Sequence, residues 1–183
     1  MEKSVIIGGF GGQGVLFLGK ILAHAGMLEG KEVTWFPSYG AEMRGGTANC
    51  TVVISDELIG SPVITKPDTL VAMSDASLKK FDQKIKNGGS LFLDSSLINN
   101  KEDLRKDIEI FAVPATEIAR KLGNTKSANM VLLGALIART GILSKLSVFK
   151  ALDSSMPDNK KDLTAGNKNA ITEGMKYIEN KKS

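Results

Sequence analysis

Residues 4–14 read Ser-Val-Ile-Ile-Gly-Gly-Phe-Gly-Gly-Gln-Gly, and this run constrains the fold more than any other stretch of the chain. Val5, Ile6 and Ile7 favour extended backbone. Five glycines then fall in the seven residues from Gly8 to Gly14. A helical pattern follows from Val15 to Leu28, with apolar Leu18, Ile21, Leu22, Ala25 and Met27 near the spacing of one helix face. Strand, glycine turn and helix in that order predict the first unit of an α/β fold. Gly9, Gly11 and Gly14 also match the G-x-G-x-x-G spacing, in the context that spacing requires. Glycines let the backbone turn sharply and approach a ligand closely, while a helix N-terminus aims unpaired N–H groups at an anion. The alternative is a tight turn with glycine simply where helix and sheet touch.

The rest of the chain repeats the alternation. Strands are expected at Glu32–Phe36, closed by Pro37, and at Ala48–Ile54, Thr69–Met73, Ser90–Asp94 and Asp107–Val113. Helices are expected at Val15–Leu28, Ala76–Lys86, Ala115–Leu122, Ser127–Arg139, Ser144–Leu152 and about Asn167–Asn180. No repeat or low-complexity linker interrupts them. The expectation is a single domain over residues 1–183, a three-layer α/β/α sandwich on a Rossmann-like sheet that is mostly parallel or mixed.

A dinucleotide site would need an acidic residue at the end of the second strand to bind the ribose hydroxyls. Trp35-Phe36-Pro37-Ser38 stands there instead, and Gln13 is unusual inside such a turn. Composition removes further classes. The single cysteine, Cys50, leaves no internal disulfide and no self-contained iron–sulfur cluster, which needs about four thiolates. With one histidine, His24, a zinc site built from His and Cys is not expected, so no metal is assigned to this chain. The net charge of +4 is spread over solvated lysines without interleaved aromatics, which predicts no nucleic-acid partner. The longest apolar run, Ala128–Ala138, contains Asn129 and Gly134 and is too short for a membrane span. The N-terminus lacks the features of a secretory signal, and a lone thiol fits a reducing compartment; the expected location is cytoplasmic.

The second informative stretch is Pro37-Ser38-Tyr39-Gly40-Ala41-Glu42-Met43-Arg44-Gly45-Gly46-Thr47. Arg44 carries a planar fork of donors suited to a carboxylate or phosphate. Glu42 either holds that guanidinium or accepts from a ligand; an internal Glu42–Arg44 salt bridge that only ties the loop is the plain alternative. Both glycine-bearing loops follow strands, so they are expected to meet at the carboxyl edge of the sheet, where ligands bind in such folds.

Gly9-Phe10-Gly11-Gly12-Gln13-Gly14, followed by Phe36-Pro37-Ser38-Tyr39-Gly40-Ala41-Glu42-Met43-Arg44-Gly45-Gly46, resembles the γ subunit of the 2-oxoacid:ferredoxin oxidoreductases. The likeness continues through Ser61-Pro62, Pro67-Asp68, Ala72-Met73-Ser74 and Gly88-Gly89 into the helix around Asn129, and is strongest to the 2-oxoglutarate and 2-oxoisovalerate (ketoisovalerate) types. The resemblance implies oxidative decarboxylation: a 2-oxoacid, coenzyme A and oxidised ferredoxin give an acyl-CoA, carbon dioxide and reduced ferredoxin. It also implies a division of labour. Thiamine diphosphate, its Mg ion and the iron–sulfur clusters belong to companion subunits, α and thiamine-binding β chains and a ferredoxin-like chain, and no catalytic residue is assigned within this chain alone. In keeping with that, no Gly-Asp-Gly with a downstream Asn, the usual thiamine signature, is present. The implied contacts are Gly9, Phe10, Gly11, Gly12, Gln13 and Gly14 toward cofactor or partner, and Tyr39, Glu42, Arg44, Gly45 and Gly46 toward substrate or CoA.

Two other classes remain open at this stage. One is a free-standing nucleotide-binding module resting on the glycine turn. The other is a binding module that assembles by itself, and an isolated subunit is expected to self-associate as a homodimer through an uncovered apolar patch. Of the remaining reactive residues, His24 reads as structural and Cys50 as a buried, inert thiol. Asp94 at a strand end is either a ligand contact or a helix cap.

Overall fold

The computed structural model describes residues 1–39, 47–99, 104–157 and 161–181. Six strands form one sheet: β1 (Glu2–Phe10), β2 (Glu32–Tyr39), β3 (Thr47–Ser55), β4 (Thr69–Ala72), β5 (Ser90–Asp94) and β6 (Glu109–Val113). Six α-helices cover it: α1 (Val15–Leu28), α2 (Asp75–Phe81), α3 (Ala115–Lys121), α4 (Ala128–Thr140), α5 (Lys145–Ser155) and α6 (Leu163–Asn180). The strand order is β2-β3-β1-β4-β5-β6. β1, β4, β5 and β6 are parallel, and β3 runs antiparallel to both β1 and β2. The expected α/β sandwich on a mixed sheet is what the chain adopts.

Alternation along the strands supplies both faces. Val5 and Ile7 of β1, Val71 of β4, Phe92 of β5 and Cys50, Val52 and Ile54 of β3 pack with α1 and the C-terminal helices in the larger core. Ile6, Leu70, Ala72, Leu91 and Leu93 point the other way into a smaller core with Leu78 and Phe81 of α2 and with Ile98 and Ile108. Central parallel strands buried on both sides require this near-continuous apolar character. The larger core is closed by α4, in which every residue from Ala128 to Ile137 is buried, and by α6 laid across it. No helix among the described residues is long and apolar enough to cross a membrane.

Several boundaries differ from the sequence expectation. β1 runs from Glu2 to Phe10, beyond the expected Ser4–Gly8, so Gly9 and Phe10 are strand residues and the turn proper is shorter. β2 passes through Pro37 to Tyr39 instead of ending there. It lies at one edge of the sheet, and an edge strand tolerates a residue with no N–H to donate. α2 stops at Phe81 and continues only as a 3-10 turn over Asp82–Lys84, while α6 starts at Leu163, ahead of the expected Asn167.

The candidate functional site at the carboxyl edge of the sheet

The glycine turn is a junction of β1, β4, α1 and α4. At Gly9 a side chain is excluded: a Cβ there would stand 2.5 Å from Oε1 of Gln13 and 2.8 Å from Cγ2 of Val15. That space is occupied because Gln13 folds back over the strand end. Its Oε1 accepts from the Phe10 N–H at 2.6 Å, and its Nε2 donates to the Met73 carbonyl at 2.9 Å. Gln13 thus shapes the turn and ties it to the end of β4, with both ends of its amide engaged within the chain. Gly12 and Gly14 adopt positive φ, 98° and 75°, a region that L side chains rarely enter. Gly14 is the residue from which α1 springs, and its carbonyl accepts the first helical bond, from Leu18 at 2.9 Å.

Gly11 and Gly12 face outward, with nothing within 4 Å of a Cβ built on either. Phe10 beside them is 40% exposed. A cleft of about 390 Å³ opens on one side, bounded by Gly12, Gly14, Phe17, Lys20, Lys126 and the buried Asn129 and Asn167. A smaller hollow of about 200 Å³ lies on the other, shared by Gly12 and Lys126 and lined by Met73 and Leu97. Lys20 and Lys126 form no ion pair among the described residues. The positive ends of α1 and α4 lie at the same edge, so fixed and partial positive charges gather on this face.

The position of the second loop is set by strand register. Phe10, the last residue of β1, pairs with Thr47, the first of β3, and Tyr39, the last of β2, pairs with Ala48. The end of β2 and the start of β3 therefore lie at the same edge of the sheet as the glycine turn. Tyr39 belongs to β2 by its backbone; its side chain, Glu42, Arg44, Gly45 and Gly46 lie outside the described residues. The register that brings the ends of β2 and β3 to the edge of the glycine turn was not readable from periodicity, because it depends on β3 entering the sheet between β2 and β1.

The same strand order bears on dinucleotide binding. In that class the second strand lies directly beside the first, with its terminal acid reaching the ribose. Here β3 intervenes, so the end of β2 is displaced by one more strand spacing, about 5 Å. Sequence and topology both argue against that geometry.

The remaining candidates are structural. Asp94 is fully buried, and its carboxylate accepts from the Ser96 N–H at 3.0 Å, the Thr116 N–H at 3.3 Å and the Thr116 hydroxyl at 2.5 Å. It ties the end of β5 to the start of α3 from a distance in sequence; Asp94 is followed by a turn and is not the cap residue of a helix. His24 Nδ1 lies 3.1 Å from the Ser155 hydroxyl, linking α1 to α5. Cys50 is fully buried against Gly19 and Trp35, and burial pushes its thiol up to about 12. Among the described residues no three His, Cys, Asp or Glu side chains gather as a metal site would need.

The family model for pyruvate ferredoxin/flavodoxin oxidoreductase matches residues 4–177. The chain belongs to that family. It is 40% identical over 159 residues to the 2-oxoglutarate synthase subunit KorC of Methanocaldococcus jannaschii, a match covering 86% of this chain and 85% of that one. It is 45% identical over 137 residues to the ketoisovalerate oxidoreductase subunit VorA of Methanothermobacter thermautotrophicus, covering 75% of this chain but 28% of the relative, so the chain spans little more than a quarter of that longer protein. Among solved structures, the keto/oxoacid ferredoxin oxidoreductase γ subunit from Geobacter sulfurreducens superposes with a TM-score of 0.82 at 31% identity, covering 98% of both chains. The 2-oxoglutarate:ferredoxin oxidoreductase of Magnetococcus marinus, solved with 2-oxoglutarate, coenzyme A and succinyl-CoA bound, has a TM-score of 0.90 at 24% identity, over 98% of this chain and 31% of that one. This last likeness speaks to the fold.

Proposed function

We propose that the chain is the γ subunit of a multi-subunit, cytoplasmic 2-oxoacid:ferredoxin oxidoreductase acting on 2-oxoglutarate or a branched-chain 2-oxoacid. The observation that carries the proposal is likeness over most of their length to separate subunits: 85% of the Methanocaldococcus KorC subunit and 98% of the Geobacter γ subunit are covered. The reaction joins the acyl group of the 2-oxoacid to coenzyme A, releases its carboxylate as carbon dioxide and passes two electrons to ferredoxin. Thiamine diphosphate with Mg and iron–sulfur clusters supply that chemistry on companion α, β and ferredoxin-like chains. This chain supplies a surface.

The surface is the carboxyl edge. Gly11 and Gly12, bare of side chains and flanked by Phe10 and Gln13, let a partner or a ligand approach the backbone closely. The strand ends that flank the stretch bearing Tyr39, Glu42, Arg44, Gly45 and Gly46 lie at the same edge, through the Phe10–Thr47 and Tyr39–Ala48 pairs. Lys20 and Lys126 give the edge a sign that suits the phosphates of coenzyme A and the carboxylate of a 2-oxoacid. We assign the glycine turn to partner and cofactor contact, and the 39–46 stretch to substrate and CoA contact.

The test is anaerobic native purification through a tag on this chain, followed by CoA-dependent reduction of a viologen dye with 2-oxoglutarate, 2-oxoisovalerate and pyruvate. Co-elution of thiamine-containing chains and dye reduction with one of the first two oxoacids is expected. A chain that elutes alone and inactive would overturn the proposal.

A further inference from the structure

Gly11 and Gly12 have no side chains with which to hold their own shape, so the shape of the turn is set by the groups packed behind it. Gln13 sets the β1 side. The helix side is set from a distant part of the chain. Asn129, in the first turn of α4, donates from Nδ2 to the Gly14 carbonyl at 3.1 Å, across 115 residues of sequence. Its own Oδ1 accepts from the Met130 N–H at 2.9 Å, which fixes the orientation of the amide. The side chain is 4% exposed.

The Gly14 carbonyl therefore has two donors, the Leu18 N–H that begins α1 and the Asn129 amide. The fit is close enough to specify residue 14: a Cβ there would stand 2.3 Å from Nδ2 and 3.0 Å from Cγ of Asn129. Glycine at 14 and asparagine at 129 are thus two halves of one joint. The joint locks the left-handed conformation of Gly14, φ 75° and ψ 24°, and with it the direction in which Gly11 and Gly12 project and the aim of the first N–H groups of α1. A neutral amide suits the place. The N-termini of α1 and α4 converge there with Lys20 and Lys126, and a carboxylate would cancel part of the field that the edge presents to an anion.

We infer that Asn129 is a positioning residue for the glycine turn, acting on ligand and partner through the Gly14 carbonyl. The inference rests on the reading of the turn as facing partner and coenzyme A. Asn129→Asp is nearly isosteric, and an acid in the first turn of α4 is favoured by the helix dipole, so the helix is retained while Gly14 loses a donor and faces a second acceptor. Asn129→Ala removes the amide altogether.

The test uses the assembled enzyme carrying wild-type chain, Asn129→Asp or Asn129→Ala. Steady-state kinetics are read against coenzyme A and against the oxoacid, and hydrogen exchange is followed in the peptide spanning Gly8–Leu18. For both variants the expected result is faster exchange in that peptide and a roughly tenfold rise in KM for coenzyme A, the scale of one misplaced hydrogen bond. The kcat at saturating coenzyme A and the KM for the oxoacid stay within about twofold of wild type, on the same reasoning that ground-state binding alone is changed. Should the alanine variant fail to accumulate, the aspartate variant carries the measurement. Unchanged exchange in Gly8–Leu18 overturns the role of Asn129. Loss of kcat together with a rise in both KM values, the pattern of general loosening, overturns it as well. Faster exchange with both KM values unchanged leaves the Asn129 joint standing and overturns the reading of the turn as facing coenzyme A.

Discussion

A methyl group placed on Gly134 of α4 would stand 2.0 Å from the backbone carbonyl oxygen of Ile171 in α6. The contact is reciprocal, since a Cβ on Gly174 of α6 would stand 1.9 Å from the Val131 carbonyl of α4. The two helices cross with their backbones touching, and both obstructing atoms are main-chain atoms that no rotamer change can move. Gly134→Ala and Gly174→Ala are each expected to destabilise the chain by at least about 2 kcal/mol, because relief requires the helices to part and the larger core to open. Denaturant unfolding monitored by circular dichroism checks this. A midpoint equal to that of the wild-type chain would show that the helices sit further apart than described.

The elements with strong periodicity were legible in the sequence, and those set by long-range pairing were not. α1 is found at Val15–Leu28 and β5 at Ser90–Asp94, where apolar patterning and flanking glycines agree. Ser144 caps α5 as its position before the apolar pattern suggested, accepting from the Ser147 N–H at 3.1 Å. Pro37 misled, because its cost depends on whether the strand lies at an edge, and that is a property of the whole sheet. The antiparallel β3 between β2 and β1 was hidden for the same reason. In the site, the glycine turn was visible as a motif. The inward fold of Gln13 was not, since its partner Met73 is 60 residues away. Asn129 stood out only as a polar residue in an apolar helix, and nothing local names Gly14 as its partner.

Titration with NAD or NADH is expected to give no saturable binding. The glycine spacing alone would permit it, but β3 stands between β1 and β2, and β2 ends in Phe36-Pro37-Ser38-Tyr39 with no acid to hold a ribose. Calorimetry on the full chain is the measurement. Binding in the micromolar range would revive the free-standing module.

Acid sensitivity should centre in part on Asp68. Burial acts to raise this carboxyl, but hydrogen bonds from the Ser4 N–H and hydroxyl, at 2.8 and 2.7 Å, and the Lys86 ammonium at 3.0 Å outweigh it and hold the group below the usual carboxylate range. A depressed value in the folded chain means that the unfolded chain binds the proton more readily. The stabilisation is therefore complete above the unfolded value near pH 4 and is lost as pH falls through the lower folded value. Asp68→Asn is expected to lower Tm at neutral pH and to flatten its decline below about pH 4. A decline as steep as in the wild-type chain would place the acid-labile group elsewhere.

Cys50 should resist thiol reagents. Its side chain is fully buried between α1 and β2, and burial pushes the thiol up to about 12, so the thiolate that would attack is scarce at pH 8. Native chain treated with a disulfide reagent is expected to remain unlabelled over the time in which denatured chain takes up one equivalent. Rapid labelling of the folded chain would mean that α1 lifts from the sheet far more readily than this packing allows.

Arg44 provides the sharpest test of the second loop. It follows Tyr39, whose backbone is paired to Ala48 one strand away from the glycine turn, in a stretch that also carries Glu42, Gly45 and Gly46. Its guanidinium is permanently charged and matches the two oxygens of a carboxylate or a phosphate. If it meets coenzyme A, Arg44→Ala in the assembled enzyme raises the KM for coenzyme A by roughly tenfold or more, the scale of one charge-assisted hydrogen bond, and leaves the oxoacid KM in place. If it meets the oxoacid, the two effects exchange. Arg44→Lys separates charge from fork geometry, because a lysine restores the charge without the paired donors. An Arg44→Ala enzyme with wild-type kcat and wild-type KM for both substrates would remove Arg44 from the site and leave the Glu42–Arg44 pair as a tie within the loop.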